Sequence, residues 1–330
     1  MGNSPTRFGT TIALGIGLAA TVLAAAGDPW KTPARYEFEY RVHVADLAPP
    51  GKQVRLWVPY PAENRDQTIL DTKIESPWKS KLHTEKKFAN KMTYAEGTAA
   101  ADLADFVMRF TIERKPSIGV PIAGESFQGS LSPALYREPD RLVPLSGLIA
   151  DIARQESQGR ATDEEKIQAF YDYVYRTMTY NKDGTGWGRG DAVWACTNKR
   201  GNCTDFHSLF IAMLRSQGIP ARFLIGFPIP DGPEGAIPGY HCWAEFYDAK
   251  LGWLPVDASE AKKKGLKDAY FGSLPNDRIE FTTGRDIVLD PPQSGEPLNY
   301  FVFPYAEVDG QPVTNPKSEF HYKRVAESAL

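Results

Sequence analysis

The chain has 330 residues, 42% hydrophobic, 24% charged and 12% aromatic, which is enough apolar side chain for two cores of ordinary size. A formal net charge of −3 with no dense stripe of Lys and Arg excludes an electrostatic surface for nucleic acid. The 26 prolines and 28 glycines are spread along the chain, predicting many turns and short strands, and there is no internal repeat.

Residues 1–26 differ from the rest. Arg7 is the single cation ahead of a small, apolar run from Thr11 to Leu23, and Ala24-Ala25-Ala26 supplies a small-residue cleavage signal. The pattern predicts a signal peptide cleaved after Ala26 and a periplasmic or secreted mature chain. An uncleaved membrane anchor is the alternative, although the run is short and Gly/Ala-rich for a span. Met1-Gly2 with Thr6 also fits the myristoylation pattern, which leaves the apolar run unexplained.

Residues 27–135 read as an N-terminal β domain. "YEFEYRVHV" alternates Tyr36, Phe38, Tyr40, Val42 and Val44 at period two, and "QVRLWVPYP" and "FVMRFTIER" do the same, so a small antiparallel sandwich with a scaffold role is expected. Helix signals begin near Pro139. Thr162 and Glu165 form a capping box, and Ile167, Phe170, Tyr171, Val174, Tyr175 and Met178 follow at helical spacing, predicting a helix that ends near Tyr180. The Gly-rich "NKDGTGWGRGDA" is a loop. After Cys203 a second helix presents Phe206, Leu209, Phe210, Met213 and Leu214 on one face, and Gly218 stops it. Three strands follow, "ARFLIGF", "HCWAEFY" and "WLPVDAS". Residues 136–290 are therefore read as an α+β core and 291–330 as a β-rich C-terminal extension.

Export makes the three cysteines informative, because in an oxidising compartment they cannot all pair within one chain. Cys203 is predicted at a helix N-terminus, where unpaired N–H groups and the dipole favour a thiolate and help hold an oxyanion. A nucleophilic thiol needs a base. His43 and His83 fall in the β domain, His321 near the C-terminus, and His207 one turn further along the same helix. His241 opens a strand and projects from the sheet end, while Asp257 ends the neighbouring strand and serves as the acceptor that orients an imidazole. Cys203, His241 and Asp257 thus form a candidate nucleophile, base and orienting residue.

The blocks "RGNCTDFHSLFIAMLRSQGIPAR", "HCWAEFY" and "GWLPVDAS", in that order, resemble the transglutaminase-like superfamily of papain-type cysteine enzymes over about Thr162 to Ser259. The β-rich front and the tail "PLNYFVFPYAEVDG" are similar to exported bacterial members. The resemblance implies a Cys-bearing helix packed on an antiparallel sheet that bears His and Asp. It implies acyl transfer from a carboxamide or peptide carbonyl through a Cys203 thioester, to water or a primary amine, with no cofactor and no metal. It also implies an oxyanion donor among upstream aromatics: Tyr180 is the candidate, with Trp187 and Trp194 as alternatives. Expected partners are a peptide or protein substrate, with no nucleic acid and no membrane span after cleavage.

Other readings stand beside this one. Cys203 as a buried structural thiol is the bland alternative. A zinc site from Cys196, Cys203, His207, His241 and Cys242 has a spacing that fits no common pattern. His207 is expected as a satisfied polar core residue and Asp205 as a first-turn carboxylate complementing the dipole. Strand alternation places Cys242 on the face opposite His241, where a Cys196–Cys242 disulfide would leave Cys203 free. A catalytically idle scaffold is the alternative function.

Overall fold

The computed structural model describes residues 1–2, 27–119, 131–313 and 316–325. The apolar run and cleavage signal of the predicted leader lie outside the described residues. The front of the chain consists of β1 (Ala34–Val44), β2 (Gln53–Pro59), β3 (Gln67–Glu75), β4 (Lys79–Thr84), β5 (Lys91–Thr98), β6 (Ala104–Arg114) and the short β7 (Ser117–Ile118). Then come α1 (Leu148–Glu156), α2 (Asp163–Thr177), β8 (Thr179–Tyr180), α3 (Ala192–Asn198), β9 (Arg200–Gly201) and α4 (Cys203–Ser216). The chain continues with β10 (Ala221–Pro228), β11 (Glu234–Ala236), β12 (His241–Asp248) and β13 (Gly252–Val256), then α5 (Ala258–Lys264), β14 (Ser273–Leu274) and β15 (Arg278–Thr283). The end of the chain supplies β16 (Tyr305–Val308), β17 (Gln311–Pro312) and β18 (Lys317–Val325).

Among the described residues β1 to β6 lie in two sheets, ordered β11-β18-β1-β6-β3 and β17-β16-β2-β5-β4, β7 pairs with β14, and the core sheet is ordered β13-β12-β10-β15. The period-two pattern of β1 puts Tyr36, Phe38, Tyr40, Val42 and Val44 in the interior. The C-terminal extension is β-rich but is not a separate body. β18 pairs with β1 from Arg35↔Val325 to His43↔Lys317, and β16 pairs with β2. The sandwich and the core sheet share one aromatic cluster. Phe227 of β10 packs against Phe38 of β1 at 5.5 Å, Phe320 of β18 at 4.2 Å and Phe281 of β15 at 5.1 Å. That contact fixes the core sheet against a rigid β support.

On the helical side, the capping box of α2 is formed by Thr162 and Glu165. The helix stops at Thr177, before the predicted end, and Tyr180 sits in β8, which pairs in parallel with β9. The chain turns early because Met178 adopts an extended backbone and drops into the interior. The segment expected to show one apolar face is buried all round: every α4 residue from Cys203 to Arg215 is buried, the mark of a central helix wrapped by other elements. Two helices were not legible from periodicity, α3 and α5. Each is seven residues long, too short for a stripe, yet each starts at an Asp N-cap, Asp191 and Asp257.

Candidate active site

The site forms where the N-terminus of α4 meets the start of β12 and the end of β13. Asn202 caps α4 by accepting from the Thr204 N–H at 3.0 Å, and the Asp205 carboxylate accepts from the Asn202 N–H at 2.9 Å. This reciprocal cap fixes Cys203 as the first helical residue, 2% exposed. Asp205 does more than complement the dipole. It also accepts from the N–H groups of Gly188 (2.7 Å) and Gly190 (3.1 Å), tying the Gly-rich loop to the helix start. Gly201 has φ +149°, and a Cβ there would lie 2.2 Å from Asp205 Oδ2, so only glycine admits this clamp. Arg285 secures the loop from the other side through the carbonyls of Gly190 (2.7 Å) and Arg189 (2.9 Å).

His241, at the first position of β12, places Nε2 2.6 Å from Asp257 Oδ2. Nδ1 is the nitrogen left to face the thiol. Asp257 is wholly buried and fully engaged. The same Oδ2 accepts from Arg278 Nη2 at 2.6 Å, and Oδ1 accepts from Ser259 Oγ and the Glu260 N–H, both at 2.9 Å. Burial alone would raise its carboxyl, but the charges of His241 and Arg278 outweigh that and hold it well below the usual carboxylate range. Burial likewise works against an imidazolium at His241, and the Asp257 carboxylate overcomes it, pushing the ring up to about 10. At Cys203 burial opposes the thiolate. Hydrogen bonding from Cys242 and His241 together with the imidazolium charge wins, and the thiol lies well below its ordinary value. The directions of these shifts favour a thiolate beside an imidazolium, and the carboxylate that orients the ring is itself anchored by the Arg278 guanidinium.

The structure therefore brings Cys203, His241 and Asp257 together. His43 and His83 are taken up by Asp105 and Asp290 on the sandwich, both at 2.8 Å, and His321 is exposed on β18. Tyr180 is half-buried in β8, which runs alongside the Arg200-Gly201 lead into Cys203, and the charge of Cys203 helps raise its hydroxyl after burial. Trp187 donates its indole N–H to its own loop at Gly184 O (3.0 Å), and the Trp194 indole packs on Gly186, so neither is positioned as Tyr180 is.

One expectation is corrected. Cys242 does not point away from the site, and the three cysteines are free thiols, so the Cys196–Cys242 bridge is not formed. Cys242 Sγ lies 3.6 Å from His207 Nδ1 and bears directly on Cys203. Among the described residues no group of three or more His, Cys, Asp or Glu is arranged to hold a metal ion, and no helix is long and apolar enough to cross a membrane. Residues that periodicity could not reveal are Arg278, Arg285 and Tyr240, whose hydroxyl accepts from Asn202 Nδ2 at 3.1 Å. Asp257 did carry one unused signal, the "DASE" spacing of a helix N-cap with Glu three residues on.

A model of the Transglutaminase-like superfamily matches residues 150–258, from α1 to the first residue of α5. The matched segment carries Cys203, His241 and Asp257, and with its mixed helices and antiparallel sheets the architecture is α+β. The whole chain is similar to an uncharacterized protein of Haemophilus influenzae, 27% identical over 94% of this chain and 98% of the relative. It superposes on a crystal structure from Cytophaga hutchinsonii described as a "Putative Cysteine Protease", with TM-score 0.61, 16% identity, and 91% and 93% of the two chains covered. At that identity the likeness is one of fold. The periplasmic domain of TgpA from Pseudomonas aeruginosa overlaps less well, at TM-score 0.36 and 13% identity over 71% of this chain and 92% of that one.

Proposed function

We propose that the protein is an exported cysteine enzyme that attacks a carboxamide or peptide carbonyl with Cys203, forming a thioester. The observation that carries this reading is the 2.6 Å contact of His241 Nε2 with a fully buried Asp257, set beside a thiol at the first position of a capped helix. In the proposed cycle the Cys203 thiolate adds to the carbonyl, and the Cys203 N–H and the Tyr180 hydroxyl take the developing oxyanion. His241, protonated at Nδ1, gives that proton to the departing amine. The neutral ring then takes a proton from the acyl acceptor, and Asp257 keeps the ring in the required tautomer throughout. Water as acceptor makes this an amidase or protease, the reading preferred here. Transfer to a primary amine is the alternative, with the same thioester and a different acceptor.

The test is incubation with glutamine-containing peptides, with and without a primary amine, following free acid, ammonia and amine incorporation by mass spectrometry. Conversion by the native chain and none by Cys203→Ala supports the enzyme. A native chain that turns over neither amide nor peptide bonds and forms no thioester favours the idle scaffold. Export is tested by the mass of the mature N-terminus after expression in a Gram-negative host, with cleavage after Ala26 expected.

A further inference from the structure

The Asp257 carboxylate has a partner to which the cycle above gives no task. Arg278, the first residue of β15, is 2% exposed and donates from Nη2 to Asp257 Oδ2 at 2.6 Å. His241 Nε2 approaches the same oxygen at 2.6 Å. Both directions are fixed by chemistry: a guanidinium has donors only and an ionised carboxylate acceptors only, so Oδ2 takes an N–H from each. The other oxygen, Oδ1, is occupied by Ser259 Oγ and the Glu260 N–H, both at 2.9 Å. Nη1 of Arg278 donates to Asp277 Oδ1 at 2.6 Å, while its buried Nε has no partner among the described residues. Buried donors are ordinarily satisfied, so this side chain is placed by its two carboxylates at the expense of one donor.

Sharing that oxygen changes the ring's chemistry. An oxygen that already accepts from a full positive charge attracts the imidazole proton less, and the same charge disfavours an imidazolium beside it. The two halves of the reaction ask for opposite things. Release of the amine needs an imidazolium, whereas activation of the acyl acceptor needs a neutral ring. We propose that Arg278 is a positioning residue for the second half: by donating to Asp257 Oδ2 it fixes the carboxylate and weakens its pull on the His241 proton, so that the neutral ring can form. In that half the acceptor's O–H or N–H proton passes to Nδ1, and its oxygen or nitrogen bonds to the acyl carbon. The C–S bond breaks, and the Cys203 sulfur leaves with its electron pair. Arg278 keeps all its protons and acts only through Asp257. This inference rests on the proposed thioester chemistry and names a residue outside the three proposed for it.

The other charged and titratable groups around this contact come from several elements. Asp277 precedes Arg278 on the chain, and the Tyr270 ring, which lies between α5 and β14, is centred 5.3 Å from the guanidinium carbon. Asp257 is also faced by His207 of α4, with Nε2 3.5 Å from Oδ1, and by Glu260 of α5, whose carboxylate is engaged by Lys263 and Lys264. The Cys203 sulfur is uncharged once acylated. The experiment treats the full chain with p-nitrophenyl acetate across pH. Release of p-nitrophenolate reports acylation, and the mass of the acetyl-Cys203 peptide against time reports resolution by water. p-Nitrophenolate leaves without a proton, so acylation should be little changed in Arg278→Gln. Decay of its acetyl enzyme at neutral pH should slow about tenfold, with the inflection of the pH profile raised by about one unit. Arg278→Lys, which keeps the charge, should restore most of the rate. Asp277→Asn removes the carboxylate that competes for the guanidinium and should move the inflection down by less. An unchanged or lowered inflection in an Arg278→Gln chain that melts as a folded protein overturns the proposal, as does an Arg278→Lys chain as slow as Gln. If Arg278→Gln does not fold, an unmoved or raised inflection in Asp277→Asn overturns it. A native chain whose Cys203 takes up no acetyl group overturns the thioester reading instead, which separates the two failures.

Discussion

Glu85 and Asp257 are both buried carboxylates, and the protein treats them in opposite ways. In the turn between β4 and β5, Glu85 accepts from the backbone N–H groups of Lys87 (2.6 Å), Phe88 (2.8 Å) and Asn90 (3.0 Å). Those neutral donors do not offset burial, and its carboxyl is raised. Asp257 is buried at least as deeply, yet it is lowered, because its partners are His241 and Arg278. Neutral backbone donors make a carboxylate into a turn brace. Cationic side chains make it into one end of a proton-handling pair. Burying charge is costly unless it is paired, so the second arrangement persists where chemistry needs it.

That contrast can be tested from its strongest consequence downward. Cys203→Ala should reduce amide turnover to the uncatalysed background without unfolding the chain, as read by product formation alongside a thermal melt. Asp257→Asn should cost about 10²- to 10⁴-fold in kcat, since the imidazole loses the acceptor that sets its tautomer. The pH profile sharpens this prediction. The native pair is formed above the depressed thiol and below about 10, where the imidazolium deprotonates, so activity should fall on both sides of that window. Without the carboxylate the alkaline limb should move down from about 10 towards the ordinary imidazole range. Tyr180→Phe removes a proposed oxyanion donor and should cost up to about 10²-fold in kcat with little change in KM. The smallest effect on activity is expected at the other carboxylate. Glu85→Gln should leave turnover within about twofold while lowering stability by about 1–3 kcal/mol in a denaturant titration, because one backbone N–H loses its acceptor. A large loss of activity there would erase the distinction between the two carboxylates.

Stability should carry the same signature. The elevated His241 contributes stability that is complete below the ordinary imidazole value and is lost as pH rises towards about 10. The depressed Asp257 contributes stability that is complete above the ordinary carboxylate value and is lost in acid. Melts across pH should show both losses in the native chain, and both should be absent in Asp257→Asn.

Local pattern carried the elements whose cause is local. Alternation in "YEFEYRVHV" gave a strand with the right inward face, Thr162 and Glu165 gave a helix start, and Gly218 gave a helix stop. The order of the Cys, His and Asp blocks gave the three candidate side chains and the α+β class. Short helices escaped because seven residues make barely two turns, and the end of α2 was misplaced because an extended Met178 leaves no composition signal.

Tertiary structure decided what depends on distance rather than on sequence spacing. Arg278 stands 21 positions after the Asp257 it anchors, and nothing in its neighbours announces that pairing. Cys242 lies 3.6 Å from His207 of α4, a proximity that strand alternation does not announce. The β-rich tail closes the sheets begun by β1 and β2, a pairing across more than two hundred residues. The sequence by itself determined which residue types can do the chemistry and which local elements carry them. Only packing decided which proton points where, because a hydrogen-bond direction is set by all the partners of a group at once.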